Sequence, residues 1–145
     1  MATQISKNFS LEEFIASDAG KAKGINNTPS TQVVCRLCAL VHHVVQPLRD
    51  WYGKPIEISS GYRSTALNKA VGGVANSQHL TGEACDLQLA DGKNIGQLWF
   101  DWIRTHCEFD QLIMEHNVKG VYWVHVSYRS DGKNRKQVIC NMLKK

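Results

Sequence analysis

The sequence predicts one α+β domain, in which a small antiparallel sheet packs against N-terminal and flanking helices. Helical apolar spacing dominates the first third of the chain, alternating apolar and polar residues mark strands further on, and the last strands are joined by short turns. With 145 residues, 43% apolar and 21% charged, the chain can bury one core and is too short for two full domains. We therefore expect a single domain over residues 1–145.

The N-terminal part predicts a short helix followed by a loop. Ser10 and Glu13 have the spacing of a capping box, in which each residue satisfies a free backbone N–H of the first turn. The helix should end at about Ser17. Residues 18–27 are rich in Gly, Lys and Asn, so we expect a loop there.

A long helix is predicted next. Thr28 is placed to cap it, Pro29 suits its first position, and the apolar periodicity continues to about Tyr52. Pro47 should kink its last turns, because proline lacks the N–H that the helix needs. The apolar stripe consists of Val34, Leu37, Cys38, Val41, Val44, Val45 and Leu48.

The middle of the chain predicts two strands with irregular structure between them. Ile56–Ser60 alternates as a strand, and Ser64 should cap a short helix that ends near Ala70. Residues 71–77 are mostly small and predict a loop. Residues 84–89 alternate again, with one face apolar and the other carrying a carboxylate.

The last part predicts a helix and three strands. Asp91 or Asn94 can cap the helix, and its apolar stripe is Ile95, Leu98, Trp99, Trp102 and Ile103. Strands are expected at residues 109–115 and 121–128, joined as a hairpin, and at residues 137–142.

Charge and cysteine content argue against a nucleic-acid-binding protein and against a metal site built from cysteines. Seventeen Lys and Arg against thirteen Asp and Glu give a net charge of +4, which is low for a dedicated nucleic-acid binder. The basic tail, residues 129–145, is interpreted as a solvated end; nucleic-acid binding through it is the weaker alternative. The five cysteines are expected to be reduced, with Cys35 and Cys38 packed in the core because no second metal-binding pair follows them.

Three side chains form a candidate metal site. His79 follows the small-residue loop, while Asp86 and His125 each alternate with apolar neighbours on a predicted strand. Two imidazoles and one carboxylate suit zinc, with the fourth position left to water or substrate. Three protein ligands are typical of a catalytic rather than a structural zinc.

These residues belong to a longer motif. Ser77, His79, Gly82, Ala84 and Asp86 form the pattern SxHxxGxAxD, which resembles the signature of zinc D-Ala-D-Ala carboxypeptidases and phage endolysin peptidases, a group that shares its fold with hedgehog signalling domains. The similarity extends over about residues 5–130, including the segments NFSLEE, SSGYRS, LNxxVGG, FDQLIxE and WVHVSY. It implies a compact single-domain hedgehog/DD-peptidase fold.

The resemblance implies that His79, Asp86 and His125 hold Zn²⁺, which would polarise a peptide carbonyl and acidify water. A general base is then needed. Many members of that family carry an acid three positions before the second histidine, where this chain has Tyr122. We expect Glu115 to serve instead, because hairpin pairing would place it near His125. Glu83 is the alternative base.

Two further residues are assigned by the same resemblance. Arg63 is expected to face the substrate, as a ligand for a carboxylate or for the developing oxyanion, and Ser77 to donate a hydrogen bond to substrate. The expected activity is metallopeptidase hydrolysis of peptidoglycan stem peptides, as a carboxypeptidase or an endopeptidase. The alternative is an inactive zinc-containing module that binds the cell wall.

Localisation and partners follow from what the sequence contains. The first ten residues have no apolar run, and no stretch is long enough to span a bilayer, so we expect cytoplasmic synthesis without a signal peptide and no membrane insertion. Phage-type lysis would release such a protein to the wall. We expect a monomer whose partners are peptidoglycan peptides and not nucleic acid.

Overall fold

The computed structural model describes residues 2–88 and 93–144 and confirms the α+β class, with one five-stranded sheet and several helices. A π-helical turn, Val41–Val45, joins two of the helices, and a 3₁₀ turn, Gln78–Thr81, precedes the second strand. The elements are α1 Leu11–Ile15, α2 Asp18–Ala22, α3 Thr31–Leu40, α4 Gln46–Tyr52, β1 Glu57–Ser60, α5 Thr65–Ala70, β2 Ala84–Gln88, α6 Lys93–His106, β3 Gln111–Asn117, β4 Tyr122–Ser127 and β5 Gln137–Lys144.

The N-terminal segment forms one helix more than the sequence predicts. The capping box of α1 is present, with the Ser10 N–H donating to Glu13 Oε2 at 2.7 Å. The expected loop at residues 18–27 was wrong in its first half, which forms α2. Ser17 caps this helix by accepting the Gly20 N–H at 3.1 Å, and α2 packs on α5. Capping and packing therefore stabilise a helix where the overall composition of residues 18–27 indicates a loop.

The long helix begins two residues later than expected. The Ser30 hydroxyl, and not that of Thr28, accepts the first-turn N–H, from Val33 at 3.3 Å. Thr28 donates its hydroxyl to Asn26 Oδ1 at 2.7 Å. Because the Thr28 side chain is engaged in this local turn with Asn26, Ser30 caps the helix instead.

Directly before Pro47, where a kink is expected, the helix has a π-helical turn. The Gln46 N–H donates to the Val41 carbonyl, five residues back, directly before the proline. Proline has no N–H for the carbonyl four residues before it, and its ring clashes with that carbonyl in a regular helix. The wider turn lets the chain continue without a break from α3 into α4.

The sheet has the strand order β1-β2-β4-β3-β5. The pairs β1–β2, β2–β4 and β4–β3 are antiparallel, as expected, and β3 and β4 form the predicted hairpin. The edge strand β5 instead runs parallel to β3, with Gln111 opposite Gln137. After β4 the chain therefore returns to the starting end of β3 before β5 begins.

One face of the sheet packs on the helices, and the other lines an open groove. Alternation on β2, β3 and β4 sends Leu87, Leu112 and Val124 into the core formed with the helices. Cys35 is exposed and Cys38 half-buried, so core packing was wrong for Cys35, which lies on the solvent side of α3. The described cysteines are all free thiols.

The start of α6 and the end of β2 adjoin the undescribed stretch. The expected strand end at Leu89 and the candidate cap Asp91 lie outside the described residues, whereas Asn94 lies inside α6 and does not cap it. Within the described ranges, none of the helices has both the length and the apolar character needed to cross a bilayer.

Candidate metal centre

The groove on the open face of the sheet has a volume of about 700 Å³. Strands β2 to β5 supply its floor and one side, and the loop before the 3₁₀ turn supplies another. All the site residues expected from the sequence line this groove: Arg63, Ser77, His79, Asp86, Glu115 and His125.

The three candidate ligands converge at one end of the groove. Asp86 on β2 and His125 on β4 are register partners, and His125 Nδ1 lies 3.0 Å from Asp86 Oδ1. His79, in the 3₁₀ turn, brings its Nε2 to 3.5 Å from the same oxygen. The strands hold two of the ligands rigidly, and the turn adds the third.

A backbone carbonyl orients His79. Its Nδ1 lies 2.6 Å from the Gly61 carbonyl oxygen, so Nδ1–H donates there and Nε2 is the ring nitrogen that faces Asp86. Gly61 packs so closely on α1 that an added Cβ would lie 2.3 Å from the Phe14 carbonyl oxygen. Glycine at this position therefore lets the carbonyl reach the imidazole.

The donor set and its spacing fit zinc. Ligand atoms of the three residues all lie within 4.8 Å of one another. Donors about 2.0–2.2 Å from a tetrahedral zinc lie about 3.3–3.6 Å apart, and the two distances to Asp86 Oδ1, 3.0 and 3.5 Å, lie close to that range. Among the described residues, only this group has such an arrangement.

The two neighbouring histidines favour the ionised form of Asp86. Burial alone would raise its pKa, but the adjacent His79 and His125 outweigh burial and lower the pKa below the usual range for Asp. A carboxylate that stays ionised is the form that binds a cation.

Glu115 lies beside the ligands, as the hairpin predicted. It pairs across the ladder with Trp123, two residues from His125, and its Oε1 is 3.8 Å from His125 Nδ1. The Trp123 Nε1–H donates to Oε1 at 2.8 Å, and Glu115 as a whole is only 2% exposed. Tyr122 and His125 are three residues apart on β4, so their side chains lie on opposite faces of the sheet. Tyr122 is partly buried and packs against the core.

Glu83, the alternative base, is held away from the groove. Its Oε1 accepts the Thr81 hydroxyl, and its N–H donates to the Gln78 carbonyl. Among the described residues that line the groove, Glu83 does not appear. The geometry therefore favours Glu115.

Arg63 also lines the groove. Its N–H donates to the His79 carbonyl at 2.9 Å, which links it to the 3₁₀ turn. Burial lowers the pKa of its guanidinium, while Asp86 and Glu115 act in the opposite direction. Its Nε is buried without a hydrogen-bond partner among the described residues, so one donor of the guanidinium is unsatisfied.

Ser77 has a structural contact in addition to lining the groove. Its hydroxyl oxygen accepts the His79 N–H at 3.2 Å and so caps the 3₁₀ turn that carries the first ligand. The hydroxyl proton is not used by this bond, so donation to substrate stays a prediction.

Sequence reasoning missed the C-terminal contribution to the groove. Arg135 binds the fully buried Asp110 through Nε and Nη2, and Lys144 Nζ lies 3.3 Å from Glu115 Oε2. Both cations belong to the tail that was interpreted as a solvated end. Only the alternation within residues 137–142 indicated that this tail forms a strand.

Comparison with known proteins agrees with this geometry. A family model described as Peptidase M15 matches residues 7–127. The zinc D-Ala-D-Ala carboxypeptidase of Streptomyces albus G is 46% identical over 44 residues, which cover 30% of this chain and 17% of that protein. The region shared with this relative is thus a small part of its length.

Proposed function

Because the chain belongs to the Peptidase M15 family, we propose that it is a zinc metallopeptidase that hydrolyses peptide bonds in peptidoglycan stem peptides. One observation carries the proposal: His79, Asp86 and His125 converge on one point of an open groove, with the buried carboxylate of Glu115 beside them. A merely structural zinc would not need an adjacent carboxylate or an accessible groove.

Zinc suits the donor set of two imidazoles and one carboxylate, and a relative is named as a zinc enzyme. His79 would bind it through Nε2 and His125 through Nδ1, the atoms that face Asp86. When bound, zinc supplies a Lewis acid for the scissile carbonyl and lowers the pKa of water.

The residues of the chain supply the remaining chemistry. Glu115 takes the proton of the attacking water and returns it to the leaving amine. The Trp123 indole fixes the carboxylate for this role by binding Oε1. Arg63, which lines the groove, stabilises the charge that develops on the carbonyl oxygen or binds a substrate carboxylate. Ser77 donates to the substrate backbone from the rim of the groove.

The charge of the groove supports a wall peptide as the substrate. Besides Arg63, the side chains of Lys119, Arg135 and Lys144 line it, and the whole chain carries a net charge of +4. Stem peptides carry carboxylates, which these cations would attract. The relative is named for D-Ala-D-Ala carboxypeptidase activity, and the open groove suits either carboxypeptidase or endopeptidase cleavage. Action as a monomer, with release to the wall by lysis, stays a prediction.

Mass spectrometry of digested peptidoglycan tests the proposal. Zinc-loaded protein should release fragments that identify the cleaved bond, and the release should stop after chelation and resume after zinc is restored. Protein that binds the wall and zinc yet releases no fragment would contradict the proposal and would support the inactive binding module.

A further inference from the structure

The C-terminal strand completes the groove at Glu115. Strand β5 lies outside residues 7–127, the part of the chain that the family model matches, and it pairs with β3, the strand that carries Glu115. Its residues Ile139, Met142 and Lys144 line the groove beside that carboxylate.

An irregularity in the strand pairing aims Lys144 at the groove. Strand β3 advances two residues from Ile113 to Glu115, while β5 advances three, from Ile139 to Met142. Side chains alternate along a strand, so one extra residue exchanges the two faces. Met142 and Lys144 consequently line the groove, whereas Leu143 is 48% exposed.

The segment is anchored before the strand begins. The Arg135 guanidinium and backbone N–H both bind Asp110, whose side chain is fully buried. Asp110 also accepts the Gln78 amide at 2.9 Å, next to the ligand His79. This end of the segment is thereby fixed to the turn that carries a ligand, and Lys144 meets Glu115 at the other end.

Glu115 needs the contacts that this arrangement gives it. A carboxylate that is 2% exposed has lost most of its hydration and must be compensated by donors or cations. Trp123 binds Oε1 and Lys144 binds Oε2, and no other Lys or Arg of the described residues forms an ion pair with it within 4 Å.

We propose that Lys144 is a positioning residue: by binding Oε2 it fixes the Glu115 carboxylate so that Oε1 stays directed toward His125 and the groove. This inference rests on the proposed role of Glu115 as the base. The two oxygens then have separate partners, and the carboxylate cannot rotate away without losing its only ion pair with a lysine or arginine among the described residues.

The test compares three variants, K144M, K144R and the control K133M, which removes the same charge from an exposed side chain of the same segment. On a peptidoglycan peptide, K144M should lower kcat by about 10- to 100-fold with KM changed less than about threefold. K144R should recover most of the loss, and K133M should match the wild type. Bound zinc should be equal in all four proteins.

A second measurement does not depend on turnover. The Trp123 Nε1–H, assigned in ¹⁵N spectra with W123F, reports whether Glu115 keeps its place. Its hydrogen exchange should accelerate about tenfold in K144M, be restored in K144R and be unchanged in K133M. An unchanged indole signal in K144M would overturn the proposal even if no substrate were cleaved, as would a wild-type kcat. Altered indole exchange in a protein that cleaves no peptide would instead contradict the peptidase function alone.

Discussion

Asp86 and His125 lie directly opposite each other on the antiparallel strands β2 and β4, with Oδ1 and Nδ1 3.0 Å apart. Cross-strand partners on one face are the closest side-chain neighbours in a sheet, so two ligands are in place as soon as the strands pair. The site therefore depends on strand register for two ligands and on a short turn for the third.

Removal of a ligand should strongly weaken zinc binding without unfolding the domain. In D86N, zinc affinity should fall at least about 100-fold, because a neutral amide replaces the anionic oxygen near both imidazoles. Calorimetric titration with zinc measures this. The matched control is D101N, an exposed carboxylate on α6, which should bind zinc like the wild type; equal affinity in D86N would show that zinc binds elsewhere.

The two candidate bases can be separated by isosteric substitution. E115Q should lower kcat by about 10²- to 10⁴-fold while zinc content is retained, because an amide cannot accept the proton from water. E83Q should stay within about threefold of the wild type, since Glu83 is bound to Thr81 and away from the groove. Steady-state rates on a wall peptide measure both. Loss of activity in E83Q with a normal E115Q would reverse the assignment.

A glycine substitution tests the packing of the turn that carries His79. Gly82 has φ +79°, and an added Cβ would lie 2.8 Å from the Val33 carbonyl oxygen. Gly72 has φ +75° with nothing within 4 Å. Both alanine variants carry the strain of positive φ, but G82A adds the clash, so its loss of unfolding free energy should exceed that of G72A by about 1–3 kcal/mol. Urea unfolding measures the difference. Equal losses of unfolding free energy would show that α3 moves to accommodate the added Cβ without cost.

Asp110 should make stability depend on pH. The Arg135 guanidinium, against the opposing effect of burial, lowers the pKa of Asp110 to about 2. The folded pKa is below that of the unfolded chain, so the contribution, about 2 kcal/mol, is present above about pH 4 and is lost as pH falls toward 2. D110N should be less stable than the wild type at pH 7, with the gap narrowing toward pH 2. A gap independent of pH would contradict this account.

The sequence predicts the placement of Asp86, His125 and Glu115 because it depends on local alternation and a short hairpin, whereas His79 lies in a turn and was predicted with the help of the family resemblance. Asp86 and His125 must face away from apolar neighbours, and the pairing of β3 with β4 brings Glu115 near His125. Arg63 and Ser77 were assigned by family resemblance alone, and the structure places both on the groove.

The parts that sequence reasoning missed depend on tertiary contacts. The parallel return of β5 is fixed by Asp110 and Arg135, which are 25 residues apart. The extra residue in β5 reverses the faces of its last residues, so alternation in the sequence could not place Lys144 in the groove. Helix α2 similarly depends on the Ser17 cap and on packing against α5.

X-ray absorption spectroscopy of the zinc-loaded protein tests the central claim most directly. The account predicts a first shell of nitrogen and oxygen only, at about 2.0–2.2 Å, with outer-shell scattering from two imidazoles that D86N diminishes. The chain contains five cysteines. Zinc bound at a site that includes cysteine would therefore be recognised by sulfur in its first shell. A sulfur shell at about 2.3 Å, or a first shell that D86N leaves unchanged, would contradict the assignment of His79, Asp86 and His125 as the metal centre.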